Sequence, residues 1–232
     1  RGDERERNQP EQDEENPIMA TYKDRLSRYI HQLFAQENGA LKRARRESPE
    51  RGLPPINVSA EEGRFLQFLA RASGGRKALE IGTLGGYSGI WIARGLLPEG
   101  RMITLEVAPL HAQVARDHFA AAGVAEKVQV LVGNAHDLLR GLSGEAPFDF
   151  VFIDAEKVGY QIYYDWAMTY LKAGGILAAH NAFRGGRVVD ESADEESTRA
   201  IREFNRRVAG DERVISTIFP AGDGTLIAVK QA

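Results

Sequence analysis

The chain of 232 residues contains no cysteine, which excludes a disulfide scaffold, a thiolate metal site and a cysteine nucleophile. It has no apolar run of transmembrane length, and its opening residues do not read as a signal peptide. These absences predict a soluble, cytoplasmic protein with no membrane partner. Only five histidines are present, and they form no cluster at metal-ligand spacing, so a separate zinc site is not indicated. An excess of positive charge is missing too. The net charge is −3; the first eighteen residues hold seven acids against three arginines, a balance of −4, which leaves the remainder near neutral at +1. That balance argues against a broad nucleic-acid footprint. The one dense basic stretch, Lys42 to Arg46, reads as a solvated helix face.

Residues 1–18 are poor in apolar side chains and show no periodicity, which predicts an acidic, disordered segment. Residues 19–232 read as a single domain, of which 19–56 form a helical extension. There Tyr22, Leu26, Ile30, Leu33 and Phe34 recur at helical spacing over about Thr21 to Glu37, and a charged continuation runs to Gly52. This extension is expected to cover the site or build a homodimer. At Ser59 the stretch "SAEE" forms a capping box with Glu62 and opens a helix expected to bury Phe65, Leu66, Phe68 and Leu69. The period then changes. "KALEIG", "RMITLEV", "KVQVLVG", "FDFVFID" and "GGILAAHN" read as strands, with a helical pattern after each. "RVISTIFP" and "GTLIAVK" flank the turn signal "AGDG" as a hairpin does. The alternation predicts a three-layer α/β fold around a mostly parallel seven-stranded sheet, closed by a C-terminal antiparallel hairpin.

In such sheets ligands bind beyond the carboxyl ends of the strands. Gly82, Gly85 and Gly86 of "ALEIGTLGGYSG" lie at such an end, where a missing Cβ lets backbone approach a ligand. Glu106 ends the next strand, where a carboxylate can accept both ribose hydroxyls. The loop lacks the G-x-G-x-x-G spacing of a dinucleotide site, because Thr83 and Leu84 intervene. A pyrophosphate gains little from Glu80 nearby, whereas a cationic ligand gains much. The pattern therefore favours a ribose-bearing sulfonium, S-adenosylmethionine, over NAD. "VGNAHD" adds a third loop on the same edge, where Asn134 and Ala135 are placed to cover an adenine.

Together, "LEIGTLGGYSG", "FDFVFIDAEKVGYQIYY", "GGILAAHN" and "GRV" resemble the cation-dependent class I S-adenosylmethionine O-methyltransferases, the caffeoyl-CoA and catechol group. The resemblance runs from "INVSAEEGRFLQFL" to the C-terminus and implies a Rossmann-like methyltransferase fold. It implies that Val58, Glu80, Gly82, Thr83, Ser88, Glu106, Ala135 and Asp154 bind the cofactor. It also implies that Asp154 is the first metal ligand, and that an Asp-Asn pair follows strand five. Here the pair is His180 and Asn181, so the metal set becomes Asp154, His180 and Asn181. Oxygen donors alone suit Mg²⁺; an imidazole shifts preference towards Mn²⁺, Fe²⁺, Co²⁺ or Zn²⁺. Lys157 stands where the catechol branch places a lysine that assists deprotonation, with a surface pairing to Glu156 as the alternative.

The expected reaction is in-line methyl transfer to a hydroxyl of a small vicinal-dihydroxy aromatic, with Asp154 and Lys157 as catalytic residues. Tyr163, Tyr164, Trp166 and Phe183 are candidate flat walls, and Arg184 and Arg187 candidate partners for an anionic substituent. Two rival readings share the motifs: methylation of a modified uridine in transfer RNA, and a non-catalytic S-adenosylmethionine-binding module. A nicotinamide dehydrogenase is a more distant third.

Overall fold

The structure is a computed structural model that describes residues 17–232, with side chains from residue 25 onward. The predicted disordered segment therefore lies outside the described residues except for its last two, which open the first helix. That helix, α1 (Pro17–Leu33), precedes α2 (Gly39–Glu50) and α3 (Ala60–Ala72). The alternating part follows as β1 (Lys77–Ile81), α4 (Tyr87–Gly95), β2 (Arg101–Glu106), α5 (Pro109–Ala121), β3 (Val128–Val132), α6 (Ala135–Gly141), β4 (Phe148–Ile153), α7 (Tyr160–Tyr170) and β5 (Leu171–His180). The chain ends with α8 (Glu196–Ala209), β6 (Val214–Phe219) and β7 (Thr225–Lys230).

The seven strands form one sheet in the order β3-β2-β1-β4-β5-β7-β6. β1 to β5 are mutually parallel, and β7 runs antiparallel between β5 and β6. The chain winds outward from β1 in one direction and resumes at β4 in the other, so a crevice opens where the winding reverses. Every residue of β4 is buried, as a central parallel strand covered on both faces requires.

Side-chain alternation along the strands sorts the core into two layers. Leu79, Ile81, Val151 and Ile153 face Tyr160, Tyr164 and Phe204 of α7 and α8. Ala78, Phe150 and Phe152 face Ile90, Trp91 and Phe119 of α4 and α5. Glu80 shares the second face with Ala78, and that alternation later decides its role.

The capping box at the start of α3 forms as the sequence predicts. Ser59 Oγ accepts the Glu62 N–H at 3.2 Å, and Glu62 Oε2 accepts the Ser59 N–H at 2.8 Å, satisfying donors the helix leaves free. The burial predicted for α3 holds for Leu66 and Leu69 but not for Phe68, which is 62% exposed. Phe65 is partly covered and stacks on Phe219 of β6 with ring centroids 4.1 Å apart. Helical spacing gave the right element but too wide an inward face. Leu26, Ile30, Leu33 and Phe34 of the extension are exposed, whereas its later apolar residues Leu41, Ala44 and Leu53 are buried. Among the described residues, no helix is long and apolar enough to cross a membrane.

Candidate functional site

A cleft of about 750 Å³ opens at the carboxyl ends of β1, β2, β4 and β5. Val58, Gly82, Thr83, Ser88, Glu106, Ala135 and Asp154 line it, and so do Lys157, His180 and Asn181. The structure thus brings all but one of the predicted site residues to a single cavity. The exception is Glu80.

Glu80 is fully buried and absent from the cleft wall. Its position on the α4 face sends its carboxyl under the glycine loop, where it accepts hydrogen bonds from Ser88 Oγ at 2.6 Å and Thr104 Oγ1 at 2.7 Å. Thr104 in turn pairs with Thr83 Oγ1 at 2.5 Å. Burial pushes the carboxyl up to about 8, the two hydroxyls oppose that shift, and Asp154 and Glu106 add to it. The expected contact with a cationic ligand is therefore replaced by a brace that holds the loop from below.

The loop's glycines also serve the fold first. Gly82 has φ +100°, and a Cβ there would strike the Asp154 carbonyl, so glycine lets the ends of β1 and β4 close together. A Cβ on Gly86, at φ +80°, would press on Phe119. Both glycines thus let the chain approach itself, and Gly82 also lines the cleft.

Glu106 keeps its expected place. Its Oε2 accepts the Leu84 N–H at 2.8 Å and its Oε1 the Ala108 N–H at 2.9 Å, which aims the carboxylate along the cleft and leaves lone pairs for a ribose diol. Leu84 holds φ +47°, an unusual backbone for a leucine, and that conformation places its N–H on Glu106.

On the acceptor side, Asp154 follows β4 and is clamped by two cationic groups. Lys157 Nζ lies 3.1 Å from Oδ1, and His180 Nδ1 lies 3.3 Å from Oδ2. Burial works to raise the Asp154 carboxyl, but His180 and Lys157 outweigh it and hold it below the usual range. Lys157 also donates to the Tyr160 hydroxyl at 2.8 Å. Burial lowers its ammonium, against the opposing pull of Asp154. The alternative pairing with Glu156 is not formed; that carboxylate accepts the Tyr163 hydroxyl and lies 3.4 Å from His136 Nε2.

His180 ends β5 with Nε2 2.9 Å from Glu62 Oε1. Burial alone lowers the imidazole, yet Asp154 and Glu62 outweigh it and push it up to about 9. Nδ1 is buried and makes no aligned hydrogen bond despite its approach to Asp154. Asn181 sits at φ +60° and donates Nδ2 to Asp223 Oδ2 at 2.7 Å, so its amide oxygen is not spent there.

Among the described residues, no three His, Cys, Asp or Glu side chains gather as a metal cage. The candidate set is two such residues and an amide. Its donors are compatible with one small cation that would take the place of the proton between His180 Nδ1 and Asp154 Oδ2, with the amide oxygen of Asn181 adjoining.

Of the predicted aromatic walls only Tyr163 lines the cleft. Tyr164 is buried in the core and donates to Asp211 Oδ2 at 2.8 Å. Trp166 packs on Tyr170 and donates Nε1 to the Leu139 carbonyl. Phe183 lies against Gly224 and is absent from the lining. Arg184 does line the cleft, at φ +52°, whereas Arg187 is exposed and 3.8 Å from Glu195. In the basic stretch, Arg45 Nε meets Glu37 at 3.0 Å and stacks over Tyr87, and Arg43 meets Glu47 at 2.8 Å. Much of that charge is thus neutralised within the chain.

Sequence reasoning missed Glu62, Tyr160 and Asp223 as site residues. Glu62 read only as a cap, and nothing in "AGDG" signals a carboxylate that orients Asn181.

Comparison with known proteins supplies the remaining context. A family profile described as O-methyltransferase matches residues 31–231. The chain is 41% identical to a catechol O-methyltransferase of Niastella koreensis over 195 residues, 83% of this chain and 88% of that one. It is also 41% identical to a catechol O-methyltransferase of Mycobacterium tuberculosis over 205 residues, covering 87% and 93%. Among solved structures it is similar to an O-methyltransferase from Bacillus cereus in complex with SAH, with a TM-score of 0.83, 35% identity, and coverage of 89% and 97%.

Proposed function

The chain belongs to the O-methyltransferase family and is an S-adenosylmethionine-dependent enzyme, and we propose that its acceptor is a hydroxyl of a small vicinal-dihydroxy aromatic held beside a divalent cation. One observation carries this reading: a single cleft joins Glu106, a carboxylate suited to a ribose diol, to a largely covered Asp154–Lys157–His180–Asn181 cluster. The names of the catechol O-methyltransferase relatives support the same acceptor class.

S-adenosylmethionine supplies an electrophilic methyl group, so the protein's task is mostly placement. Glu106, oriented by two backbone N–H groups, accepts the ribose hydroxyls. Gly82, Thr83 and Ser88, braced from below by Glu80, shape the wall beside the reactive end. Asp154 stands where the two halves meet. Tyr163, almost wholly buried and stacked on His136, contributes only its edge to the cleft wall.

Lys157, its ammonium weakened by burial, takes the proton from the acceptor hydroxyl. Asp154 Oδ1 and the Tyr160 hydroxyl aim that nitrogen. Asp154, His180 and Asn181 would hold the cation, and when bound it supplies Lewis acidity that favours the ionised acceptor. A second hydroxyl next to the first gives such a site two oxygens to engage, which is why vicinal diols fit best.

The test is a radiolabelled methyl-transfer assay on a catechol series and matched monophenols, with Mg²⁺, Mn²⁺, Co²⁺ or Zn²⁺ and with chelator. Transfer to vicinal diols that collapses with chelator is the expected result. Equal turnover of monophenols would overturn the acceptor class, and chelator-insensitive turnover would overturn the cation.

A further inference from the structure

Glu62 is a buried carboxylate on the acceptor side that the methyl-transfer reading leaves unused. It is held from two directions. Oε2 caps α3 through the Ser59 N–H at 2.8 Å. On the other side Gly222, at φ +56°, brings the β6–β7 turn so close that a Cβ there would collide with the carboxylate. Oε1 is thereby fixed 2.9 Å from His180 Nε2.

The imidazole is equally constrained. β5 pairs with β7 through His180 and Thr225, and the Tyr160 hydroxyl donates to the His180 carbonyl at 3.1 Å. Both ring nitrogens face carboxylates: Nε2 that of Glu62, and Nδ1, buried and without an aligned hydrogen bond, Asp154 Oδ2 at 3.3 Å. A cation entering beside Asp154 would displace the proton on Nδ1 while Glu62 keeps the one on Nε2, so Nδ1 is the nitrogen left to donate. A carboxylate behind the ring also makes the imidazole a better donor.

We propose that Glu62 is a positioning residue that fixes His180 with Nδ1 towards the cleft, creating a mixed nitrogen–oxygen cation site that takes Mn²⁺, Co²⁺ or Zn²⁺ in preference to Mg²⁺. The inference rests on the reading above for the location of the site. It adds Glu62 to that site and gives the chain's His-Asn pair a selective consequence. Mg²⁺ favours an all-oxygen shell and parts reluctantly with water, whereas later first-row ions gain from an imidazole.

The experiment measures binding of each metal alone to the full chain by calorimetry, and follows Co²⁺ by its visible spectrum, which reports nitrogen ligation. Glu62→Gln is informative because glutamine also serves a capping box. Its one amide oxygen either caps Ser59 or meets His180. When it caps, the NH2 faces Nε2, drives the ring proton to Nδ1 and removes the donor. The expected result is wild-type binding of Co²⁺ and Zn²⁺ tighter than Mg²⁺. Glu62→Gln should weaken Co²⁺ by about 10–100-fold with a changed spectrum, while S-adenosylhomocysteine affinity stays within about twofold. His180→Asp should reverse the order in favour of Mg²⁺.

Wild-type protein that prefers Mg²⁺, or that binds S-adenosylhomocysteine but none of the four metals, overturns the proposal. So does unchanged Co²⁺ affinity in both Glu62→Gln and Glu62→Met, the second of which offers Nε2 no oxygen acceptor. Should these variants fail to fold, the wild-type order and His180→Asp decide alone. Failure to bind S-adenosylhomocysteine would instead remove the methyl-transfer reading, and the metal order would still be measured.

Discussion

The cofactor half of the cleft takes Gly82, Thr83, Leu84 and Glu106 from the ends of two adjacent strands, while the acceptor half collects residues from distant segments; Glu62 and His180 alone are 118 residues apart. The halves also differ in how their carboxylates are held. Glu106 accepts hydrogen bonds from two backbone N–H groups, with His111 Nδ1 3.5 Å from its Oε1, and Glu80 accepts from two hydroxyls. Asp154 meets Lys157 and His180, and Glu62 meets His180. Neutral donors fix shape without cancelling charge, so Glu106 keeps its charge for a ligand. Charged partners fix shape by cancelling it, so each member of the acceptor cluster depends on the others. The first half is a rigid, general cradle; the second is a coupled cluster whose chemistry a single substitution redirects.

The largest test of that contrast is Asp154→Asn. Its neutral amide strands Lys157 and His180 without their common counter-charge, and methyl-transfer kcat should fall by about 10³-fold. S-adenosylhomocysteine affinity should change by less than about tenfold, because Glu106 and the loop are untouched. Calorimetry and single-turnover assays separate the two quantities; parallel losses would dissolve the division into halves. Next comes Lys157→Met, which keeps the stem but not the amine. It should cost about 10²-fold in kcat. Because burial lowers the wild-type ammonium, wild-type rate should rise with pH as Lys157 loses its proton, and the variant should lack that limb. A retained limb would exclude Lys157 as the proton acceptor. Smaller again is Glu106→Gln, which weakens a charged contact to neutral hydroxyls. The expected change is about tenfold in the KM for S-adenosylmethionine with kcat nearly unchanged. A fall in kcat instead would place Glu106 in the acceptor half.

How legible each half was in the sequence follows from the same difference. The layers and the mostly parallel sheet came through because β4 is apolar but for Asp149 and "SAEE" and "AGDG" carry local turn chemistry. The cofactor half is also local, so Glu106 and the loop were found from spacing. Glu80 was misplaced although period-two alternation sets it beside Ala78, on the face away from Ile81. Proximity in sequence outweighed direction in that reading. On α7, Tyr163, Tyr164 and Trp166 all pack on the core, and only Tyr163 projects at an angle that also reaches the cleft. The acceptor half was legible only through family resemblance for Asp154 and Asn181. Glu62 escaped because capping accounts for one carboxylate oxygen and says nothing about the second. Asp223 escaped because its turn reads as a hairpin whatever the side chain does.

The smallest effect on cofactor binding expected at neutral pH belongs to Glu80→Gln, whose effect on stability probes why the cradle is neutral. Burial places the Glu80 carboxyl at about 8 in the folded chain, against 4.5 for an unperturbed glutamate. The folded state therefore holds a proton that the unfolded state releases between those values. Stability from this group is full below pH 4.5 and is lost as pH rises through about 8, by up to about 1.4 kcal/mol per pH unit. Glutamine mimics the protonated acid and can still bond Ser88 and Thr104. The variant should match wild type in urea unfolding at about pH 4 and become progressively more stable than it as pH rises to about 8. Binding of S-adenosylmethionine near pH 7 should differ little, because Glu80 lies beneath the wall and is mostly protonated there. Parallel stability profiles would mean that Glu80 is ionised in the folded cradle, and the contrast between neutral and charged halves would then fail at its foundation.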